Sequence, residues 1–237
     1  MTRPPRPSAG QLALGLGFAA LAVGWPLFAP WISARFGVRA LAATLIGVGA
    51  LSIGAAGAAL PAELALGRLD AAGLLALVAL ALATGERVFL LLLPAWVYAA
   101  LARIFAASLR GGGSVIERVA FVLQPYAPDF IRPYCRGVTR FWAAVFLANA
   151  VAVAALALTA PLDWWSAYTG WVVWLVFLAL SAAEFAVRKA HFRNYDDRPL
   201  DLLFERFFPS ERTEMGRRAT EYKSQMRRSL GRPERER

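Results

Sequence analysis

The chain has very little cysteine and histidine: among its 237 residues, Cys135 and His191 are the only ones of their kinds. One cysteine excludes a disulfide framework within the chain and any zinc or iron–sulfur site that needs several thiolates. One histidine leaves no second imidazole for a histidine-based metal site, so we expect neither a metal nor another cofactor. The sequence also lacks a P-loop, a G-x-S-x-G elbow and an H-E-x-x-H pair. This favours a protein that is not an enzyme, and a membrane enzyme stays open as an alternative.

Charge is sparse as well. Charged residues make up 18% of the chain, hydrophobic residues make up 58%, and the mean hydropathy is +0.49. Soluble domains usually contain about 45–50% apolar residues. One short soluble domain could not bury this much apolar surface, so the excess must face lipid. The composition therefore predicts an integral membrane protein.

The charge that is present is mostly basic, with a net value of +10. On a membrane protein such an excess reports topology, because Lys and Arg are retained on the cytoplasmic side. We therefore expect membrane lipids as partners and no nucleic acid. Arginine far outnumbers lysine and accompanies abundant Ala, Leu and Gly, which suggests a GC-rich bacterial genome and hence the bacterial inner membrane.

Six apolar segments predict an all-α fold, a polytopic bundle of about six transmembrane helices. They cover residues 12–33, 40–60, 71–83, 88–109, 141–160 and 164–187. The first is read as a retained helix rather than a signal peptide, since another membrane segment follows at once. The third is short, so it either forms a hairpin with the fourth through a tight outer turn or is re-entrant. The hairpin is favoured.

The distribution of basic residues predicts the topology. With six spans and both termini in the cytoplasm, only three of the 26 basic residues, Arg35, Arg39 and Arg87, lie on the outer side. We expect four regions along the chain. These are a four-span membrane region (1–110), a cytoplasmic loop with a surface helix (111–140), a two-span unit (141–190) and a basic cytoplasmic tail (191–237).

The loop between the fourth and fifth spans carries a helix-start signal. Gly111, Gly112 and Gly113 form a flexible break, and Ser114 and Glu117 then make an S-x-x-E capping box before an apolar run. This pattern predicts a short helix that lies along the membrane surface. The tail carries further helical patterns, an amphipathic stretch over 200–207 and a polar helix that starts near residue 210.

One carboxylate and one amide lie inside the predicted spans. Glu184 precedes Arg188 by one turn, so the two form a structural pair or Glu184 takes a ligand or proton role. Asn149 lies near mid-span, so its amide must find a partner within the bundle. That partner is either a neighbouring helix or a polar group of a substrate.

A dense polar run leads into the fifth span and includes Tyr134, Arg136 and Thr139. Arginines at this position commonly anchor topology. Alternatively, they bind an anionic head group or the phosphopantetheine of an acyl carrier, since the guanidinium fork suits phosphate. Cys135 is expected to be inert, because no general base can be placed beside it.

The chain resembles a family of small bacterial inner-membrane proteins. The residues that carry the resemblance are Ser114, Glu117, Arg118, Tyr134, Cys135, Arg136, Gly137, Val138, Thr139, Trp142, Asn149, Trp165, Ser166, Ala167, Tyr168, Thr169, Gly170, Glu184 and Arg188. The family's genes often lie in clusters for aryl polyene pigments, xanthomonadin-like lipids and related fatty-acid-type synthesis. The resemblance covers about residues 100–190. It implies a candidate polar site at Glu184, Arg188, Arg136, Tyr134, Thr139, Glu117 and Arg118, with Asn149, Trp165, Tyr168 and Gly170 as intramembrane packing and polar positions.

By that resemblance, we expect an accessory membrane component of an acyl-lipid or polyene pathway. It would dock an acyl carrier protein or another pathway enzyme, or hold the apolar product, at the cytoplasmic face. A lipid transporter or flippase and an enzyme acting on an acyl substrate are the competing hypotheses.

Overall fold

The computed structural model describes residues 35–40, 42–43, 68–123, 128–193, 206–207, 209 and 212–229. The first predicted span, and the second apart from residues 40, 42 and 43, lie outside these residues. So does most of the predicted amphipathic stretch over 200–207.

All regular structure within the described residues is helical. The helices with defined bounds are α1 (Arg68–Thr84), α2 (Val88–Ser108), α3 (Val115–Leu123), α4 (Arg132–Thr159), α5 (Leu162–Phe192) and α6 (Glu214–Ser229). A turn at Leu92 interrupts α2, and a 3₁₀ turn (Asp129–Ile131) leads into α4. A π-helical turn (Tyr168–Val172) lies inside α5.

Among the described residues, three helices are long and apolar enough to cross a membrane: Val88–Ser108, Asp129–Thr159 and Leu162–Phe192. They correspond to the fourth, fifth and sixth predicted spans. Within the described residues, the prediction of an all-α protein with helices that could span a membrane is therefore confirmed. The apolar helix α1 has 17 residues, which corresponds to about 26 Å at 1.5 Å per residue.

Helix α4 begins nine residues before the predicted span, so the end of the predicted 111–140 loop is helical. Its 28 residues extend over about 42 Å, whereas a bilayer core is about 30 Å thick. The uncharged run Phe141–Thr159 accounts for about 28 Å of that length. The first turns, which carry Arg132, Arg136 and Arg140, therefore extend beyond the length that lipid can cover.

Helices α1 and α2 form a helical hairpin, and that α1 spans the membrane stays a prediction. Gly85 makes the turn with φ +77°, a left-handed conformation that favours glycine. The Thr84 hydroxyl donates to the Leu80 carbonyl (2.7 Å) and accepts from the Glu86 N–H (3.1 Å). This side chain therefore satisfies backbone groups on both sides of the turn.

The chain divides into two compact units. The first contains residues up to 127 together with 131–174, and the second contains 128–130 together with 175–237. In the first unit, the most extensive packing joins α2 and α4. Phe105 meets Phe146 edge to face with ring centroids 5.1 Å apart, and Ala95 packs with Val153 and Trp165. Low-numbered residues of α2 thus lie beside high-numbered residues of α4, so the two helices are antiparallel.

The second unit is built on aromatic contacts. Phe130 packs against Phe192 at the end of α5 and against Tyr222 of α6, with centroid separations of 6.3 and 6.4 Å. Arg193 ends α5 with φ 48°, and its guanidinium donates to the carbonyls of Ala190 and Pro209. The predicted polar helix of the tail is present as α6.

Candidate functional site

In the described part of the first unit, most charged side chains lie at one end of the helices. The antiparallel arrangement of α1, α2 and α4 brings together the start of α1, the end of α2, α3 and the start of α4. The charged residues of this end are Arg110, Glu117, Arg118, Arg132, Arg136 and Arg140, and Arg103, which pairs with Asp70, lies five residues before the end of α2. The opposite end is formed by the turns around residues 85–87 and 160–163, which carry Glu86, Arg87 and Asp163, and Arg39 lies beside Gly85 at this end.

The predicted capping box is formed at the start of α3. The Glu117 N–H donates to Ser114 Oγ (3.3 Å), and the Ser114 N–H donates to Glu117 Oε2 (3.4 Å). Both residues are buried. The cap leaves the second carboxylate oxygen of Glu117 available for another donor.

Arg132, at the start of α4, provides that donor through an ion pair between its Nη1 and Glu117 Oε1. The Glu117 side chain is only 5% exposed, whereas the Arg132 side chain is 47% exposed. The guanidinium also lies over the Phe121 ring, 4.7 Å from its centroid. Glu117 therefore stabilises the start of α3 and holds Arg132 at the same time.

An open cleft of about 480 Å³ lies beside this pair. It is lined by Ser108, Gly111, Gly112, Gly113, Glu117, Arg118, Phe121 and Arg132. Two guanidinium groups and one carboxylate give the lining an excess of one positive charge. We call this cavity the arginine cleft.

The arginine cleft contains donors that are not engaged elsewhere. The Arg118 side chain is exposed and makes no ion pair or hydrogen bond to any other described residue. Within the described part of the chain, the N–H groups of Gly112 and Gly113 also have no acceptor. The lining can therefore bind an anion with groups from the loop, α3 and α4.

The predicted polar run at 134–139 does not line the arginine cleft. Arg136 Nη2 donates to the Leu109 carbonyl at the end of α2 (2.7 Å). The Thr139 hydroxyl donates to the Cys135 carbonyl (2.8 Å), and both residues are buried. Tyr134 is half-buried on the same helix. Of the predicted polar residues, only Glu117 and Arg118 therefore lie together at the cleft.

Asp70 and Arg103 form an ion pair that sequence reasoning missed. Arg103 Nε donates to Asp70 Oδ1 (3.2 Å), and its Nη2 contacts Asp70 Oδ2, so the interaction is bidentate. The Asp70 side chain is 6% exposed and the Arg103 side chain is 54% exposed. The Asp70 carbonyl also accepts from Trp96 Nε1 (3.0 Å).

This pair lies at the depth of apolar residues on α4. Phe105 contacts Phe146, and Arg103 is two residues farther from the charged end. Arg103 is therefore level with a position about 10 Å inside the uncharged run that begins at Phe141. Nothing in the local sequence could pair these two residues, because they are 33 positions apart in the chain.

Asn149 has a partner on the neighbouring helix, as predicted for a buried amide in a span. Its Oδ1 accepts from the Tyr168 hydroxyl (2.8 Å), and its Nδ2 donates to the Val145 carbonyl (2.9 Å). Trp165 is 1% exposed and donates from Nε1 to the Leu91 carbonyl (3.2 Å). Trp164, in contrast, is exposed, as expected for an aromatic belt, whereas Trp165 lies in the core. Gly170 is buried in the π-helical turn.

In the second unit, the predicted i,i+4 pair is present on α5. Arg188 Nε lies 3.5 Å from Glu184 Oε1, and the Glu184 side chain is 21% exposed. This geometry favours the structural interpretation of Glu184. The guanidinium of Arg188 also lies over the ring of Phe185.

No protein-family model matches this chain, and no curated protein or solved structure matches it either. The resemblance to the family of aryl-polyene and xanthomonadin-type clusters therefore remains a prediction.

Proposed function

We propose that this chain is an accessory protein of the bacterial inner membrane in an acyl-lipid or aryl-polyene-type biosynthetic pathway. In this proposal it has six spans and cytoplasmic termini. It binds an anionic group of a pathway lipid, or of an acyl carrier protein, at the charged end of its helices.

The arginine cleft is the observation that carries the proposal. It combines the exposed Arg118 with Arg132, which is held beside it by Glu117. Anchoring residues that only report topology do not need to line a common cavity. Guanidinium groups that share a cleft suit a carboxylate or phosphate ligand.

The location of the cleft adds further support. Among the described residues of the first unit, arginines are most numerous at the end that carries the cleft. In this proposal that end is cytoplasmic, because basic residues are retained on the cytoplasmic side. A ligand bound there would be next to apolar helices that can carry its acyl chain. Arg136 and Glu184 have structural partners, so the proposal does not depend on them.

Gene deletion with lipid and pigment extraction tests the pathway assignment. We expect the deletion to abolish the product, and the wild-type gene or Arg140→Ala to restore it. Arg140 is a matched control because it is an exposed arginine of α4 outside the cleft lining. Arg118→Ala should be present in the membrane at normal abundance without restoring the product. Normal product in the deletion strain, or full restoration by Arg118→Ala, would contradict the proposal.

Capture of an acyl carrier protein by the detergent-solubilised full chain separates docking from lipid holding. If the carrier docks at the cleft, Arg118→Ala should reduce its capture and Arg140→Ala should not. Equal capture by both variants would exclude docking at this site.

Lipid transport is a second candidate function, and the Asp70–Arg103 pair favours it. Ionisable groups at membrane depth commonly mark substrate or ion pathways. Protein reconstituted in liposomes would then accelerate the transbilayer movement of a fluorescent phospholipid, and Asp70→Asn would abolish that acceleration. No acceleration by the wild-type protein would reject this candidate.

A further inference from the structure

We propose that the arginine cleft binds the phosphate group of a water-soluble phosphate ester, and that Glu117 competes with this phosphate for Arg132. The inference rests on the proposed function, since both take the cleft as the site of an anionic ligand. It adds the chemical class of that ligand and a role for the buried carboxylate.

The donors of the cleft fit a phosphate better than a carboxylate. Arg118 offers an unoccupied guanidinium fork, and Gly112 and Gly113 offer N–H groups without acceptors in the described part of the chain. Arg132 adds a second guanidinium, which is half exposed to the cleft. A carboxylate has only two oxygens for these donors, whereas a phosphate monoester has three and a charge of up to −2.

Glu117 opposes the binding of an anion. Its carboxylate lines the cleft, is almost fully buried and holds Arg132 through Oε1. A phosphate that enters must share Arg132 with this carboxylate and tolerate its negative charge. Because Oε2 remains in the capping box with Ser114, Glu117 can lose its contact with Arg132 while α3 keeps its cap.

The number of free phosphate oxygens favours a water-soluble ligand. A phosphate monoester keeps three oxygens for the donors of the cleft, whereas the phosphodiester of a bilayer lipid such as phosphatidylglycerol keeps two. The cleft extends from Arg132, about 13 Å before the uncharged run along α4, to Ser108, which is level with the third residue of that run. The exposed side chain of Arg118 makes the outer part of the cleft accessible from water.

Binding of glycerol 3-phosphate by the full chain tests this inference. We would measure it by calorimetry in an uncharged maltoside detergent, which contains no phosphate, and use glycerol as the matched probe without phosphate. Glycerol 3-phosphate and inorganic phosphate should bind, and glycerol should not. Absence of phosphate binding to the folded wild-type protein would overturn the inference.

Two substitutions with opposite expected effects locate the site. Arg118→Ala should weaken binding roughly 10- to 100-fold, as expected for the loss of a charged hydrogen-bond donor. Glu117→Gln should strengthen binding roughly 3- to 30-fold, because it removes a negative charge close to the phosphate. Gln also serves in a capping box, so α3 should still form, and circular dichroism checks this. Arg140→Ala should change binding less than twofold.

Several results would refute specific parts of the inference. Unchanged or weaker binding by folded Glu117→Gln would show that Glu117 does not compete for Arg132. Equal binding by Arg118→Ala and Arg140→Ala would place the phosphate outside the cleft. Binding to phosphatidylglycerol vesicles without binding to glycerol 3-phosphate would identify a lipid head-group site instead.

The outcome is separable from that of the proposed function. Phosphate binding with the expected variant pattern, together with normal lipid and pigment in the deletion strain, would support the phosphate site and reject the pathway. Loss of product in Arg118→Ala without any phosphate binding would reject only the phosphate assignment.

Discussion

Removal of Arg103 should destabilise the protein more than removal of its partner Asp70. Arg103→Ala leaves a carboxylate that is 6% exposed without its bidentate donor. Asp70→Ala leaves a guanidinium that is 54% exposed and has a long side chain that can reach water or lipid head groups. The asymmetry follows from burial, because an unpaired charge costs most where water cannot solvate it.

The size of each effect can be bounded from these exposures. Loss of one member of a buried ion pair typically costs about 3–5 kcal/mol. Arg103 is half exposed, so we expect Arg103→Ala to lower the free energy of unfolding by about 3 kcal/mol, the lower end of that range. Asp70→Ala should cost less, about 2 kcal/mol, because the unpaired guanidinium can leave membrane depth only by extending its long side chain to the interface. The double variant should cost less than the sum of the two, since it leaves no unpaired carboxylate.

Unfolding of the purified full chain by sodium dodecyl sulfate in mixed micelles, followed by circular dichroism, measures these differences. Arg140→Ala is the control, because it removes an exposed arginine of the same charged end. Equal destabilisation by Arg103→Ala and Asp70→Ala, or additive losses in the double variant, would refute the reasoning from burial. A loss no larger than that of Arg140→Ala would show that the pair contributes nothing to stability.

Three further predictions use the same assay or a labelling experiment. Gly73→Ala should lower the free energy of unfolding by about 1–3 kcal/mol, because a Cβ at residue 73 would overlap the indole ring of Trp96. Gly137→Ala should be neutral or slightly stabilising, because a Cβ there would meet nothing within 4 Å. A larger loss for Gly137→Ala than for Gly73→Ala would contradict this packing. Asn149→Ala and Tyr168→Phe should each lower the free energy of unfolding by about 0.6–1.7 kcal/mol. The double variant should lose no more than the larger of the two single losses, because both substitutions remove the same hydrogen bond. Additive losses would show that this hydrogen bond does not account for both effects. Asp163→Cys in intact cells should react with a membrane-impermeant maleimide from the periplasmic side, and protection there would reverse the predicted topology.

Features governed by local sequence were predictable. Long uncharged runs indicated the helices that became α2, α4 and α5, because the exclusion of polar groups from lipid acts over a whole segment. The Ser114–Glu117 capping box and the Glu184–Arg188 pair were also read correctly from their spacing. Such interactions join residues three or four positions apart, so helix geometry alone brings them together.

Features that depend on packing between helices were not predictable in the same way. Asn149 was expected to have a partner in the bundle, but its sequence neighbours could not identify Tyr168. Trp164 and Trp165 are neighbours in the sequence, and packing against α2 buried only Trp165 in the core. Hydropathy ranks both tryptophans equally, so only the rotation of the helix separates the exposed ring from the buried one.

The sequence by itself determined a helical membrane protein, the approximate positions of its apolar helices and the start of α3. Only the tertiary structure decided that Asp70 meets Arg103 and that Arg132 completes the cleft begun by Glu117 and Arg118. The physical reason is that an apolar residue can be buried against many different neighbours, so the composition of one segment is enough to predict its burial. A charge pair instead depends on the register and rotation of two helices that are distant in the chain.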